Sequence, residues 1–457
     1  MNQSLTVTFA RGARRVTGSN FLIEAKNGNT TTRILIDCGL AQGERYCESV
    51  NKEEFSYDPS TVDAIFFTHA HEDHIGLFPK LVKTGFKGKA YATPPTKALM
   101  PIMLEDSLHI IAEEAKRCND EAPYSATDIQ EAVSLVQELG YHQKISVGTD
   151  VSVTLYNAGH IIGSASVALD IFGKRVVFTG DLGRMPAILV PEREVPEHVD
   201  FLFTESVYGN RVHEKVEESD KILFAAVDDV RKKNGVLLIP AFSLERTQII
   251  LSALDTAFTS KREAPMGVFL DSPLAAKVTE IYERYPEFLR ADVRERLEKG
   301  DDPFSFPSLH ISKNMDGSRA IEHAPMPKII IAGAGMSHGG RIRIHEARYL
   351  PQASTTLLIS GYQVPGSLGR RLKDGAKEVN MDGAKIPVHA SVKALDGFSA
   401  HADRDDLLGY AEAVNPKKVF VILGETEAST FLAQRIQGFL NIPVDVPREG
   451  ETVQLIG

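Results

Sequence analysis

The feature that most constrains this chain is a recurring set of short apolar runs, each bounded by Gly, Asp or another turn former. They fall at residues 33–37 (RILID), 64–68 (AIFFT), 175–179 (RVVFT), 200–204 (DFLFT), 236–240 (VLLIP), 328–332 (KIIIA), 355–360 (TTLLIS) and 418–423 (KVFVIL). Consecutive apolar residues place hydrophobic side chains on both faces of an extended segment, so both faces need covering, and the runs read as buried strands. Longer stretches with helical spacing lie between many of them, at 100–118, 125–139 and 243–258. Strands alternating with helices predict an α/β protein.

The pattern is not uniform. Residues 5–8, 21–25 and 33–37 resemble a meander joined by polar turns, and residues 151–156, 166–171 and 174–178 form a second such set. Two β-rich sets with helices between them predict a sandwich of sheets covered outside by helices. From about residue 209 to about 372 the alternation becomes regular, and short strands return after 375. The expected organisation is an insertion: a first domain formed by 1–208 and 375–457, and an inserted domain formed by 209–374. A chain of 457 residues is too long for one small core, which agrees.

Composition removes several classes. At 43% hydrophobic and 25% charged residues the chain is not a disordered one. No apolar run approaches the ~20 residues of a membrane span. The N-terminal MNQSLTVTFARGARR lacks a signal peptide's apolar stretch. Three cysteines (Cys38, Cys47 and Cys118), with no CxxC pair, cannot build a disulfide framework, so a reducing, cytoplasmic setting is expected. A net charge of −10 excludes a wholly basic nucleic-acid coat but leaves room for a local basic groove. Basic residues do cluster at Arg11, Arg14 and Arg15, at Arg341, Arg343 and Arg348, and at Arg370, Arg371 and Lys373.

The strongest chemical signal is His69-Ala70-His71-Glu72-Asp73-His74, directly after the run that ends at Thr68. Imidazole nitrogen and carboxylate oxygen suit zinc and similar first-row ions. In extended chain His69 and His71 point to one side. A helix beginning near Asp73 turns Asp73 and His74 toward a second point, which favours two adjacent ions. Asp37, His160 and Asp181 also stand at strand ends. Asp181 is placed to bridge two ions and His160 to complete the first ion's shell. Asp37 and Asp181 also read as turn formers ahead of Gly39 and Gly183, and His160 as a hydrogen-bonded loop residue. The segment 333–340 (GAGMSHGG) follows the run KIIIA, but its G-x-G-x-x-x-G spacing misses the dinucleotide fingerprint by one residue. A backbone nest for a substrate phosphate is the better functional reading, with Ser337, Gly339 and Gly340 as candidates; a tight strand-to-helix turn is the structural alternative.

The order Asp37, HAHEDH, His160, Asp181 resembles the metallo-β-lactamase superfamily. The segments TESVYG (204–209), PAFSLERTQ (240–248), DSPLA (271–275), GAGMSHGGR (333–341), GYQVPGSLGRRL (361–372) and GFSAHAD (397–403) narrow the resemblance to the β-CASP nucleases, over nearly the whole chain. That group includes the endonuclease subunit of the cleavage and polyadenylation specificity factor and its prokaryotic relatives. The resemblance implies an αββα metallo-β-lactamase sandwich with an inserted parallel α/β β-CASP domain. It implies that His69, His71 and His160 hold a first zinc, that Asp73 and His74 hold a second, that Asp181 bridges them and that Asp37 orients ligands from behind. Glu205 and His401 would form an acid pair, with Asp73 also placed among the catalytic residues.

The implied reaction is hydrolysis of single-stranded RNA by a metal-activated hydroxide, leaving a 5′-phosphate and a 3′-hydroxyl, in endonuclease and exonuclease modes. The active site is expected in the cleft between the domains, with Arg341, Arg343 and Arg370 meeting phosphates along it. The resemblance also allows a homodimer. One departure stands out: where RNA-cleaving relatives carry a histidine in an H-G-E setting, this chain has Leu423-Gly424-Glu425. Leucine has no lone pair for a metal, so weak occupancy of the second zinc site is expected. Three alternatives stay open beside the ribonuclease: a DNA nuclease of the same family, a degenerate RNA-binding scaffold subunit, and a small-molecule metallo-hydrolase. The long insertion and His401 speak against the last of these.

Overall fold

A computed structural model describes residues 3–43, 48–259, 264–364 and 366–457. It divides into two compact units: Met1–Val212 with His401–Gly457, and His213–Ala400.

The first unit is built on two seven-stranded sheets among the described residues. One sheet runs in the order Thr452–Ile456, Gln3–Arg11, Asn20–Asn27, Thr30–Ile36, Ala64–Phe66, Lys89–Ala92, Val136–Glu138. The other runs Val444–Asp445, Lys418–Val421, Phe201–Thr204, Lys174–Phe178, Ala165–Ile171, Val151–Asn157, Lys144–Val147. Strand Gln3–Arg11 alternates, and its buried Leu5, Val7 and Phe9 share one core cluster with Val153, Leu155, Phe178, Phe203 and Phe420 of the second sheet. That shared core is the interior of the predicted sandwich. The second sheet's other face carries Val177, Leu202, Val419 and Val421, covered by Leu407, Tyr410 and Ala411 of helix Arg404–Val414 and Leu432 of helix Thr426–Arg435. Runs with apolar residues on both faces therefore have both faces buried, as their composition requires.

The second unit carries a six-stranded sheet in the order Leu309–Ile311, Gly267–Leu270, Lys328–Ala332, Val236–Pro240, Thr356–Ile359, Ser391–Ala394, and its pairings are parallel. The central strands Val236–Pro240 and Lys328–Ala332 are buried at every position. This is the predicted regular α/β insertion.

Two details differ from the sequence reading. The second unit runs to Ala400, beyond 374, because Ser391–Ala394 pairs with Thr356–Ile359 at the edge of its sheet. The edge strand reads SVKA and is only half-buried, so it lacks the apolar run that marks the other strands. The helix read over 125–139 spans Ala126–Ser134, opened by a Ser125–Asp128 capping box. Val136–Glu138 instead extends the first sheet beside Lys89–Ala92, where ladder pairing overrides helical spacing.

Cys38 is a buried free thiol, Cys118 is disulfide-bonded, and Cys47 lies outside the described residues. Among the described residues no helix is long and apolar enough to cross a membrane.

Candidate metal centre

The chain leaves strand Ala64–Phe66 and turns at His71 into the short helix Glu72–Ile75. This turn presents His69 and His71 toward one point while helix geometry redirects His74. His160 comes from the loop after Val151–Asn157, and Asp181 from the turn after Lys174–Phe178. The result is compact. His69 Nε2 lies 3.0 Å from His71 Nδ1, and His160 Nε2 lies 3.3 Å from the same atom. Asp181 Oδ2 is 3.5 Å from His69 Nε2 and 3.6 Å from His160 Nε2. These four residues offer ligand atoms within 4.8 Å of one another. Nitrogens bonded to a tetrahedral zinc at about 2.0–2.1 Å stand about 3.3 Å apart, so the donor spacing fits the ion.

Proton placement supports the same fit. Asp37 Oδ2 accepts from Ser19 Oγ (2.9 Å), Thr68 Oγ1 (2.9 Å) and His74 Nδ1 (2.7 Å), while Oδ1 accepts from Thr68 N (2.8 Å). Thr68 has given its proton to Asp37, so its oxygen accepts from His69 Nδ1 at 3.0 Å. Nδ1 of both imidazoles is thus the proton donor, which leaves the inward-directed Nε2 as the atom able to meet an ion. His74 Nε2 is buried without a hydrogen-bond partner and lies 3.5 Å from Asp181 Oδ1 and 3.9 Å from Asp73 Oδ2. A buried ring nitrogen with no hydrogen-bond partner among carboxylate oxygens is the position of a cation's ligand.

Burial, reinforced by neighbouring imidazoles, holds His69 and His160 well below the usual histidine range and His71 down to about 3, so all three are neutral and able to ligate. Burial alone would lower His74, but Asp181, Asp37 and Asp73 override it and raise it well above that range, so His74 holds a second proton that a bound ion would have to displace. Burial would raise Asp181, yet His74 and His401 hold it well below the ordinary carboxylate range. Asp73 is pushed up to about 6, chiefly by burial.

Glu205, at the end of Phe201–Thr204, is fully buried. Its Oε1 accepts from Leu182 N at 2.7 Å and its Oε2 from Val207 N at 3.2 Å. His401 is brought beside it by an isolated bridge to Gly183 and by Ala402 N donating to Leu182 O at 2.7 Å. His401 Nδ1 lies 3.4 Å from Glu205 Oε1 and 3.9 Å from Asp181 Oδ2. Burial would lower His401, but the Glu205 carboxylate outweighs it and the imidazole is raised; Glu205 is itself raised by burial.

The structure therefore gathers Asp37, His69, His71, Asp73, His74, His160, Asp181, Glu205 and His401 within the first unit. Asp73 and His74 belong to neither set of tightly clustered ligand atoms among the described residues, which are His69, His71, His160, Asp181 and Asp181, Glu205, His401. Leu423 is buried in the core between the sheets, with φ +47°, and a Cβ on Gly12 would stand 3.1 Å from it. Sequence reasoning missed Ser19 and Thr68. The signal for Thr68 was its place immediately before His69, whereas Ser19 carries no local mark.

The phosphate candidates lie in the second unit. Ser337, at φ +57°, is buried and donates its hydroxyl to Glu346 at 2.5 Å. A Cβ on Gly339 would meet nothing within 4 Å, so its backbone faces open space. Gly340, at φ +70°, passes so close to Gly333 O that an added Cβ would stand 2.4 Å away. Arg341 bonds buried Asp271 at 2.7 Å, Arg343 bonds Asp382 at 3.0 Å, and Arg370 bonds Asp374 one helical turn on at 2.9 Å.

Three family models match in chain order: the metallo-beta-lactamase superfamily over 13–217, the Beta-Casp domain over 247–372, and the Zn-dependent metallo-hydrolase RNA specificity domain over 385–447. A ribonuclease of Thermus thermophilus is 34% identical over 96% of this chain and 98% of its own length. The chain belongs to the β-CASP family of zinc-dependent metallo-hydrolases. An RNase J-like protein of Methanocaldococcus jannaschii is 30% identical, over 97% of this chain and 98% of its own. The transcription termination factor FttA of Methanosarcina mazei is 30% identical over 100% of this chain and 72% of its own. A crystal structure of a protein of unknown function from Enterococcus faecalis shares the fold, with a TM-score of 0.59, 15% identity, and coverage of 99% of this chain and 100% of that one.

Proposed function

We propose that this β-CASP metallo-hydrolase cuts phosphodiester bonds of single-stranded RNA, leaving a 5′-phosphate and a 3′-hydroxyl. The observation that carries the reading is the neutral, inward-facing trio of His69, His71 and His160 beside Asp181, with the Glu205–His401 pair at its rim.

His69, His71, His160 and Asp181 would hold the first zinc ion. Asp73, His74 and the other Asp181 oxygen would hold a second more weakly, since Leu423 offers it no ligand. Bound zinc supplies Lewis acidity toward the phosphate and lowers the pKa of water. The protein's own part is proton management. His401, kept protonated by Glu205, donates to the departing 3′ oxygen, and Glu205 fixes the ring through Nδ1. Asp37, with Ser19 and Thr68, keeps the His69 and His74 tautomers correct for binding.

In the second unit, the 333–340 loop offers backbone at Gly339 and Gly340 to a phosphate, with Ser337 held inside the loop by Glu346. Arg343 and Arg370 pair with carboxylates that are 85% and 58% exposed, so these weak, screened pairs can be traded for phosphate. Arg341 is committed to Asp271, which is fully buried, and holds the loop in place. Single-stranded DNA is the second reading: the missing histidine at Leu423 removes a feature of RNA-cleaving relatives, and the chemistry at phosphorus is unchanged.

The test is cleavage of end-labelled single-stranded RNA, single-stranded DNA and duplex by the zinc-loaded protein and its His401→Ala variant. Cutting of single-stranded RNA that His401→Ala abolishes is the expected result. Cutting of DNA alone would select the second reading. Binding without cutting would make the chain a scaffold.

A further inference from the structure

Open parallel sheets take their ligands at the carboxyl ends of their strands, where the loops diverge. In the second unit three such loops are locked together: Ala241 N donates to Ala332 O at 3.0 Å, and Asp271 N donates to Ile331 O at 2.8 Å. Their side chains are small. Ser243 Oγ and Ser272 Oγ stand 3.4 Å apart, and a Cβ on Gly333 would lie 3.8 and 3.9 Å from them.

One residue breaks the pattern. Phe242 is 40% exposed, although Ala241, Leu244 and Glu245 around it are buried. Its ring is not loose. A Cβ on Gly335 would lie 2.8, 2.9 and 3.0 Å from Cδ2, Cε2 and Cγ. Near-equal distances to three adjacent ring carbons put the Gly335 backbone over the ring's face, not at its edge. The glycine thus lets the main chain back the ring directly. Thr247 fixes the base of the residue, donating through N (3.2 Å) and Oγ1 (2.7 Å) to Phe242 O. Single exposed apolar side chains are ordinary on protein surfaces. Phe242 differs because it is rigidly backed, stands at the ligand-binding edge of the sheet, and rests on the same loop whose Gly339 faces open space.

We propose that Phe242 is a stacking platform for one nucleobase of a single-stranded RNA, next to a phosphate that meets the 333–340 loop. The inference rests on the ribonuclease reading and adds to it: the platform takes any base but requires it to be unpaired, because a base in a duplex already has both faces covered. The hydroxyl of Ser243 lies close enough to the loop to meet the sugar-phosphate chain, while Ser272 is buried and caps the helix that follows it.

The experiment compares the zinc-loaded wild type with Phe242→Ala and Phe242→Trp on one single-stranded RNA oligonucleotide and on versions carrying one abasic position, scanned along it. Loss of the ring is expected to raise KM about tenfold with kcat unchanged, and Phe242→Trp is expected to restore it. One abasic position should raise the wild-type KM by a similar factor and have no further effect in Phe242→Ala. A wild-type KM in Phe242→Ala, or abasic penalties that add to it at every position, would overturn the platform while leaving the ribonuclease reading intact. Wild-type protein that neither binds nor cuts the oligonucleotide overturns both.

Discussion

The two units handle charge in opposite ways. In the first, His69, His71, His74, His160, Asp181, Glu205 and His401 converge at the ends of sheet strands, and His74 Nε2 is buried without a hydrogen-bond partner. In the second, the charges beside the phosphate candidates are paired: Asp271 accepts from Arg341, His345 and Ser318, and Arg343 and Arg370 have acidic partners. What that unit presents instead is glycine backbone and an exposed ring. The difference teaches where to look for chemistry and where for grip. Unsatisfied, inward-directed donors mark a place for an ion, while satisfied charges around open backbone mark a surface that positions a chain.

The largest effect should come from breaking the first unit's cluster. Asp181→Ala is expected to lower RNA cleavage by about a thousandfold or more and to reduce bound zinc, read by turnover and by elemental analysis of the same preparation. His401→Ala should cost about a hundred- to a thousandfold in kcat while zinc content stays at the wild-type level, separating proton donation from ion binding.

The second unit is tested through stability. Burial pushes Glu346 up to about 8 from an ordinary value of 4.5, against the opposing Ser337 hydroxyl and Arg343. The folded state therefore holds this proton over a pH range in which the unfolded chain has lost it. Stability is greatest below the unfolded pKa and falls as pH rises toward 8, by up to about 1.4 kcal/mol per pH unit. Glu346→Gln should flatten that decline in denaturant titrations run from pH 5 to pH 8; an unchanged slope would show that Glu346 does not cause it.

A smaller effect is expected at Asp37→Asn, which keeps the shape but disturbs the tautomers of His69 and His74. Zinc affinity should drop by about ten- to a hundredfold, measured by competition with a chelator. The smallest belongs to Arg343→Ala combined with Arg370→Ala. KM for RNA should rise severalfold, and the dependence of binding on salt should become shallower. An unaltered salt slope would remove both arginines from the phosphate path.

Much of this was legible in the chain. The HAHEDH segment carries five potential ligands in one turn of structure, and the buried runs revealed the strands that hold Asp37 and Asp181. Other features were not legible. Ser19 reaches Asp37 only because strand Asn20–Asn27 pairs with Thr30–Ile36, a tertiary fact with no local sequence mark. The edge strand Ser391–Ala394 is too polar to show periodicity, so its place in the second unit's sheet was not legible. Phe242 was visible as a letter, but the backing of its ring depends on Gly335 arriving from almost a hundred residues away.

The most direct measurement of the central claim pairs metal content with turnover. The protein is stripped with a chelator, assayed on single-stranded RNA, and titrated back with zinc. Cleavage should vanish on stripping and return in proportion to the first equivalent bound, with His71→Ala failing to regain it. Undiminished cutting by protein shown by elemental analysis to be free of metal would contradict the account.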